Sequence, residues 1–401
     1  MIDLVLKQGR DRSAKRRHPW VLSGAVAEVR GDATPGAAVR VLSHNGEPLG
    51  HGHYSPESSI RVRLLTFGKQ VPAEDWLADR IARAVAERQG DPLLANTDAM
   101  RLVNSEGDGL PGLIADRYDD IVVVKLTSAG MHLRRDVIAQ ALREASGASV
   151  GFERADPASA RREGIASHEG LLWGDALPAT VTIREATCHF EVDVAHGQKT
   201  GFYLDQRDSR ALAARLAPGC DVLDLFSYTG GFATACARAG ASSVMLVDSS
   251  ADALELAKAH VSANASHCRF DFQRADAFNW VRETSDPSDS SASSDSAFDL
   301  VIVDPPPLAR RKGDVNKAAR AYKDLLSHAF RRTRPGGWVM CFACSHHVGP
   351  DLFRKIAFGA SIDAGRPVQV LRELGAPSDH PVSLDHPEGH YLSGLLLRVM
   401  A

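Results

Sequence analysis

Apolar and polar positions alternate over the first part of the chain. Ala25–Val29, Ala38–Leu42 and Ile60–Leu64 alternate or are rich in β-branched residues. His44-Asn45-Gly46-Glu47 and Ser55-Pro56 supply turn chemistry between them. Residues 1–69 therefore predict a small β-rich module. The period then changes: Leu77, Ile81, Ala84 and Val85 recur at helical spacing and predict a helix over 76–89. Leu113-Ile114-Ala115 and Ile121–Val124 read as strands joined by a tight turn at Tyr118-Asp119-Asp120, and a helix over about 132–145 follows. Residues 70–185 thus predict an α+β domain.

Beyond residue 190, short apolar runs alternate with helical stretches. Asp221–Phe226, Ser243–Asp248, Phe270–Ala275, Asp299–Asp304 and Gly337–Cys344 predict five strands. Leu254, Ala257 and Val261 share one face of a helix, with Ser249 and Asp252 as its start signals. Regular alternation of this kind predicts an α/β fold for residues 186–401, a doubly wound and largely parallel sheet. The Ser/Asp-rich stretch from Thr284 to Ala297 lacks the apolar residues to pack and is expected to be a disordered insertion.

Composition narrows the class. A chain of 401 residues predicts more than one domain, and 44% apolar residues is enough for ordinary cores. No apolar run reaches the roughly 18 residues that a membrane span requires. The opening Met1–Leu6 carries neither a basic lead-in nor a long apolar stretch, so no signal peptide is expected. Six scattered cysteines do not form a disulfide framework, and a reducing, cytoplasmic location is expected. The net charge of −3 hides a local cationic segment: Lys7, Arg10, Arg12, Lys15, Arg16 and Arg17 face a single acid, Asp11. Such a run is either a solvated arm or a phosphate-binding surface.

In open parallel sheets, ligands bind beyond the carboxyl ends of the strands. After the first of the five strands comes Ser227-Tyr228-Thr229-Gly230-Gly231, whose glycines admit close approach of the backbone. Asp248 ends the second strand, about 20 residues on, where an acid suits ribose hydroxyls; Asp276 follows the third. This arrangement fits a nucleotide-like cofactor, NAD or S-adenosylmethionine. The three-glycine dinucleotide spacing and a phosphate-loop lysine are both missing, which favours the cofactor without phosphates.

The fourth strand ends in Asp304-Pro305-Pro306-Pro307, either a stiffened loop or a wall for a flat substrate. The fifth ends in Cys341-Phe342-Ala343-Cys344. An odd separation sends the two thiols to opposite faces, so a redox pair or half a zinc site is disfavoured and no metal is expected. Cys341 reads as a buried strand cysteine. Cys344 stands at the chemical end, either structural or a nucleophile: a thiolate adding to carbon 6 of a cytosine makes carbon 5 able to attack a methyl donor. His346 and His347 read as loop histidines.

These segments occur in a recognisable order: Lys7-Gln8-Gly9-Arg10, Arg16–Ala25, Glu106–Leu113, Thr200–Arg207, Phe226–Phe232, Asp304-Pro305-Pro306, Ala343-Cys344-Ser345, Asp379-His380-Pro381 and Pro387–Leu392. The chain resembles, over its full length, the large-subunit (23S) ribosomal RNA cytosine-5 methyltransferases that carry an N-terminal PUA domain. The resemblance implies a β-barrel-like PUA module that binds RNA, a central α+β domain, and a class I, Rossmann-like methyltransferase domain with a seven-stranded sheet. It implies S-adenosylmethionine held by Gln206, Phe226, Ser227, Tyr228, Gly230, Asp248, Ser249, Asp276, Ala277 and Asp304. It makes Cys344 the nucleophile with Asp304 beside it, and turns Lys7 to Arg17 into RNA contacts. One departure is Pro307-Leu308, where relatives often carry a lysine or small residue followed by phenylalanine, so the aromatic that would stack on a substrate is missing. The partner implied is ribosomal RNA, naked or in an assembly intermediate, and a homodimer is left open. Methylation of a purine nitrogen and a non-catalytic RNA-binding or ribosome-assembly role stand as the alternatives.

Overall fold

The computed structural model describes residues 2–283, 297–309 and 311–401. The Ser/Asp-rich insertion, apart from Ala297, lies outside the described residues. The chain divides into two compact units, one of residues 1–183, 192–204 and 378–389, the other of residues 184–191, 205–377 and 390–401.

The first unit opens with β1 (Ile2–Leu6), α1 (Arg12–Lys15), β2 (Trp20–Leu22), β3 (Val26–Arg30), β4 (Ala38–Leu42), β5 (Pro48–Tyr54) and β6 (Ile60–Phe67). The six strands form one sheet in the order β2-β6-β5-β4-β1-β3. Leu4, Leu6, Val39, Val41, Val62 and Leu64 fill its core. β5 gives no strand signal in the sequence, and its glycines explain why. A Cβ on Gly52 would stand 2.2 Å from the Arg63 carbonyl, so tight pairing with β6 excludes the side chains that mark a strand.

The unit continues with α2 (Trp76–Gln89), β7 (Ala99–Asn104), β8 (Leu113–Tyr118), β9 (Ile121–Leu126), α3 (Ala129–His132), α4 (Arg135–Ser146), β10 (Val150–Glu153), α5 (Pro157–Glu163) and β11 (Gly170–Trp173). The second sheet runs β11-β10-β9-β8-β7. α2 buries Leu77, Ile81, Ala84 and Val85, the stripe its spacing predicts. The helix expected over 132–145 is two, because Ser128 caps an earlier start by accepting from the Met131 amide. Several segments that carry the family resemblance serve this scaffold. Trp20 Nε1 donates to Glu106 at 2.8 Å, Asn104 Nδ2 to the Pro381 carbonyl at 2.9 Å, and the Arg101 amide to Asp379 at 2.9 Å.

β12 (Val181–Glu185) and β13 (Cys188–Val192) pair as a two-stranded sheet. The second unit then contains α6 (Arg207–Leu216), β14 (Asp221–Leu225), α7 (Gly231–Arg238), β15 (Ser243–Asp248), α8 (Ala251–Asn264), β16 (Arg269–Arg274), α9 (Ala277–Glu283), β17 (Phe298–Val303), α10 (Val315–Arg331), β18 (Thr333–Cys344), α11 (Pro350–Ala364), β19 (Val368–Leu374) and β20 (Leu392–Val399). Its seven strands lie in the order β16-β15-β14-β17-β18-β20-β19. β14 to β18 are parallel and β20 runs antiparallel beside β18. Burial on both faces makes the central strands read as continuous apolar runs. Leu223, Val301 and Cys341 pack into one layer, and Val222, Ile302 and Phe342 into the other. The order reverses between β14 and β17, and ligands are expected beyond that point. No helix among the described residues is long and apolar enough to cross a membrane.

Candidate active site

The loop after β14 is tightly constrained. Phe226 and Tyr228 adopt positive φ of 63° and 49°, and Gly230 follows at 74°. Such values in aromatic residues cost energy and mark a loop held by its surroundings. Phe226 and Ser227 amides both donate to the Val247 carbonyl, at 2.9 and 3.2 Å, and the Tyr228 amide donates to Asp248 Oδ2 at 2.8 Å. A Cβ on Gly230 would lie 2.8 Å from that of Ala257, so the close packing of this turn on α8 requires glycine.

Asp248 thus spans two loops, since its Oδ1 accepts from the Ser250 amide at 2.9 Å. Ser250, not Ser249, caps α8, its hydroxyl accepting from the Ala253 amide at 3.3 Å. Ser249 is exposed one residue after β15. Asp276 accepts from the Asn279 amide at 2.9 Å and so caps the first turn of α9, where Ala277 is buried. Phe226 and Phe278 meet edge to face at 5.3 Å, an apolar flank of the kind an adenine ring occupies. Ser227 Oγ and Gln206 Oε1 are among the buried polar atoms without a hydrogen-bond partner in the described residues. Buried polar groups are nearly always paired. An unpaired hydroxyl beneath a strained glycine turn, with an acid at the end of the next strand, suits a nucleoside-like cofactor.

Across the switch point, Asp304 follows β17 and Cys344 ends β18. Cys344 Sγ lies 3.6 Å from Asp304 Oδ1, and Gln206 Nε2 donates to Asp304 Oδ2 at 3.0 Å. One carboxylate therefore joins a thiol and an amide brought from three separate segments. Cys344 is the only one of the six cysteines that is not buried. Cys341 lies in the opposite layer, and burial pushes its thiol far up; the two do not act as a pair. Ser345 Oγ donates to the Ala309 carbonyl at 2.7 Å and ties the loop after β18 to the loop after β17. The His346 and His347 rings meet at a tilt of 46° with centroids 3.8 Å apart.

Asp224 is a buried carboxyl near Asp304 and Asp248 that the motifs do not pick out, although an acid inside Val222-Leu223-Asp224-Leu225 is itself a signal. Burial pushes it up to about 8, Asp304 and Asp248 add to the shift, and the Ala233 amide opposes it. In the unfolded chain it ionises near 4. The folded state therefore holds a proton that the unfolded state loses between about pH 4 and pH 8. Its stabilisation is complete below pH 4 and is lost as pH rises to about 8, at roughly 1.4 kcal/mol for each pH step between those two limits. Asp224→Asn is expected to flatten that decline. In thermal melts at pH 5 and pH 8.5, the variant's melting temperature should fall less than that of the wild type.

The cationic arm is divided by its surroundings in the first unit. Lys15 pairs with Asp11 at 2.7 Å, and Arg17 approaches Asp385 at 3.5 Å and lies over the Phe67 ring. Arg10 and Arg12 instead line a cavity of about 400 Å³ with Gly9, Trp20 and Gly24, and Lys7 lies beside it with Nζ on the Gly24 carbonyl. Arg16 is exposed.

Residues 4–67 match a PUA-like domain family, and residues 133–381 match the S-adenosylmethionine-dependent methyltransferase family. The chain is 41% identical over 400 residues to ribosomal RNA large subunit methyltransferase I of Alteromonas mediterranea, covering 99% of this chain and 98% of that one. It is 40% identical to the protein of the same name from Shewanella denitrificans, with 99% of each chain covered. Among solved structures, a SAM-dependent methyltransferase from Streptococcus mutans shares the fold, with a TM-score of 0.81 at 22% identity and full coverage of both chains. A methyltransferase complexed with SAH matches with a TM-score of 0.83 at 22% identity, again over the full length of both. The cofactor left open by the loop chemistry is therefore S-adenosylmethionine, and the chain belongs to the S-adenosylmethionine-dependent methyltransferase family, with a PUA-like domain at residues 4–67.

Proposed function

We propose that this enzyme methylates carbon 5 of a cytosine in large-subunit ribosomal RNA through a covalent bond to Cys344. The observation that carries the reading is the thiol at the carboxyl end of β18, 3.6 Å from Asp304 and partly open, while every other cysteine is buried. The large-subunit RNA substrate comes from the names of the relatives that share about 40% of the sequence from end to end.

Asp304, 3.6 Å from Cys344 Sγ, would accept the thiol proton. The Cys344 thiolate adds to carbon 6 of the base, forming an S–C6 bond and shifting an electron pair toward carbon 5. Bound S-adenosylmethionine supplies the electrophilic methyl group that carbon 5 attacks. With S-adenosylhomocysteine as the second product, a base takes the carbon-5 proton, the S–C6 bond breaks to expel the thiolate and release the methylated base, and the proton held by Asp304 returns to restore the thiol. Asp248 would hold ribose hydroxyls, with Phe226, Ser227, Tyr228, Gly230, Ser249, Asp276 and Ala277 around the nucleoside, and Gln206 and Asp304 near the reacting end. Asp248 and Asp304, both close enough to act on Asp224, make an environment that favours a cationic ligand.

In this reading residues 1–69 bind RNA, residues 70–185 form a central domain and residues 186–401 carry the chemistry. Lys7, Arg10, Arg12, Lys15, Arg16 and Arg17 meet phosphates, supplying affinity without sequence choice. Incubating unmodified ribosomal RNA with the protein and labelled cofactor, followed by nucleoside mass spectrometry, tests the reading. Labelled 5-methylcytidine is expected. Label confined to a purine nucleoside would move the reaction to a ring or amine nitrogen and leave Cys344 without a role.

A further inference from the structure

We propose that Gln206 reads the exocyclic 4-amine of the target base and so selects cytosine over uracil, an assignment that rests on the cytosine-5 reading above. It moves Gln206 from the cofactor's contacts to the substrate's. Gln206 is 2% exposed and precedes α6. Its Nε2 donates to Asp304 Oδ2 at 3.0 Å. An ionised carboxylate only accepts, so the nitrogen end of the amide must face it, and a flipped amide would set two acceptors against each other. The other end is thereby fixed as an acceptor. That atom, Oε1, is buried and has no hydrogen-bond partner among the described residues.

A buried acceptor without a donor is rare, and it calls for a donor from a ligand. The opposite oxygen of the same carboxylate carries Cys344 Sγ at 3.6 Å. The acceptor is thus one carboxylate away from the nucleophile, whereas Ser227 and Asp248 are grouped on the glycine turn. Cytosine presents an amine at position 4 and uracil a carbonyl oxygen. A fixed acceptor here pairs with the first and repels the second.

The test uses the full-length protein with cofactor and two RNAs spanning the methylated position, mapped by mass spectrometry of nuclease fragments. One carries 5-fluorocytidine there, and the other carries 5-fluoro-2-pyrimidinone, which lacks only the amine. In both, addition of Cys344 and methyl transfer leave fluorine on carbon 5; with no proton to remove, the S–C6 bond persists as a denaturant-stable complex. The trapping rates are measured for wild type, Gln206→Leu and Gln206→Met. The ratio of the two rates cancels the analogue's intrinsic reactivity when compared between proteins. Both variants are expected to lower the cytidine-to-pyrimidinone ratio on the order of thirtyfold to a hundredfold. Their affinity for S-adenosylhomocysteine, which also reports folding, should stay within about threefold. A ratio within about threefold of wild type overturns the assignment, and if cofactor affinity falls at the same time by about tenfold or more, the acceptor belongs to the cofactor. Trapping of neither RNA by wild type, with label appearing in a purine, overturns the cytosine-5 reading itself.

Discussion

Cys344→Ala is expected to lower methyl transfer by at least about 10⁴-fold, while affinity for S-adenosylhomocysteine changes by less than about threefold. A loss of that size corresponds to more than about 5 kcal/mol of transition-state stabilisation. It follows from the chemistry of the target: carbon 5 of cytosine is too weak a nucleophile to attack a methyl sulfonium until a thiolate has added at carbon 6. No nearby group replaces the thiol, since Cys341 lies in the opposite layer of the sheet. Cofactor affinity is spared because the loop that would hold the nucleoside is organised by Asp248 and the Val247 carbonyl, on other strands. Cys344→Ser should be almost as inactive, a hydroxyl being far less acidic than a thiol. Single-turnover transfer and isothermal titration read the two quantities. Loss of cofactor binding together with activity would mark Cys344 as structural.

Asp116→Ala is expected to destabilise the first unit by roughly 3–5 kcal/mol and to lower its melting temperature on the order of 10 °C. Asp116 is fully buried on β8. Its oxygens accept from Arg101 Nε at 2.8 Å and Nη2 at 3.0 Å, and from Thr200 Oγ1 at 2.5 Å. Removing the carboxylate leaves a guanidinium desolvated opposite a cavity, which costs far more than the pair contributes. The contrast with a double replacement separates the causes. Arg101→Met with Asp116→Leu removes both charges and fills the space, and should recover most of the loss. Calorimetry of the three proteins checks this. A single variant that melts within about 2 °C of wild type would show that water reaches Arg101 and that the pair is not isolated from solvent.

The parallel core of the second unit was legible because its physics is local. β14 and β17 are buried on both faces, so apart from Asp221, Asp224 and Asp299 their sequences are apolar, and they are followed by the residues proposed to meet the ligand. β5 was hidden by the glycines that its pairing demands. β20 was hidden because Leu392–Val399 is apolar without alternation and reads as either strand or helix. The site divides along the same line. Asp248, Asp304 and Cys344 end predicted strands, so their place follows from the fold. Gln206 has no local signal; it matters because it meets Asp304, 98 positions away, and only resemblance to a family pointed to it. The charge of the arm was read correctly in number but not in partners. Arg17 meets Asp385 and Lys15 reaches toward Glu47 at 3.8 Å, acids that sequence distance conceals.

The most direct test of the central claim is to trap the adduct. RNA carrying 5-fluorocytidine at the target is incubated with the wild-type protein and cofactor, and the denaturant-stable complex is digested and its peptides weighed. A nucleotide mass attached to the peptide bearing Cys344, and absent from Cys344→Ala, is the predicted result. Abundant methylation of unsubstituted RNA with no adduct on any cysteine, or an adduct on a cysteine other than Cys344, would contradict it.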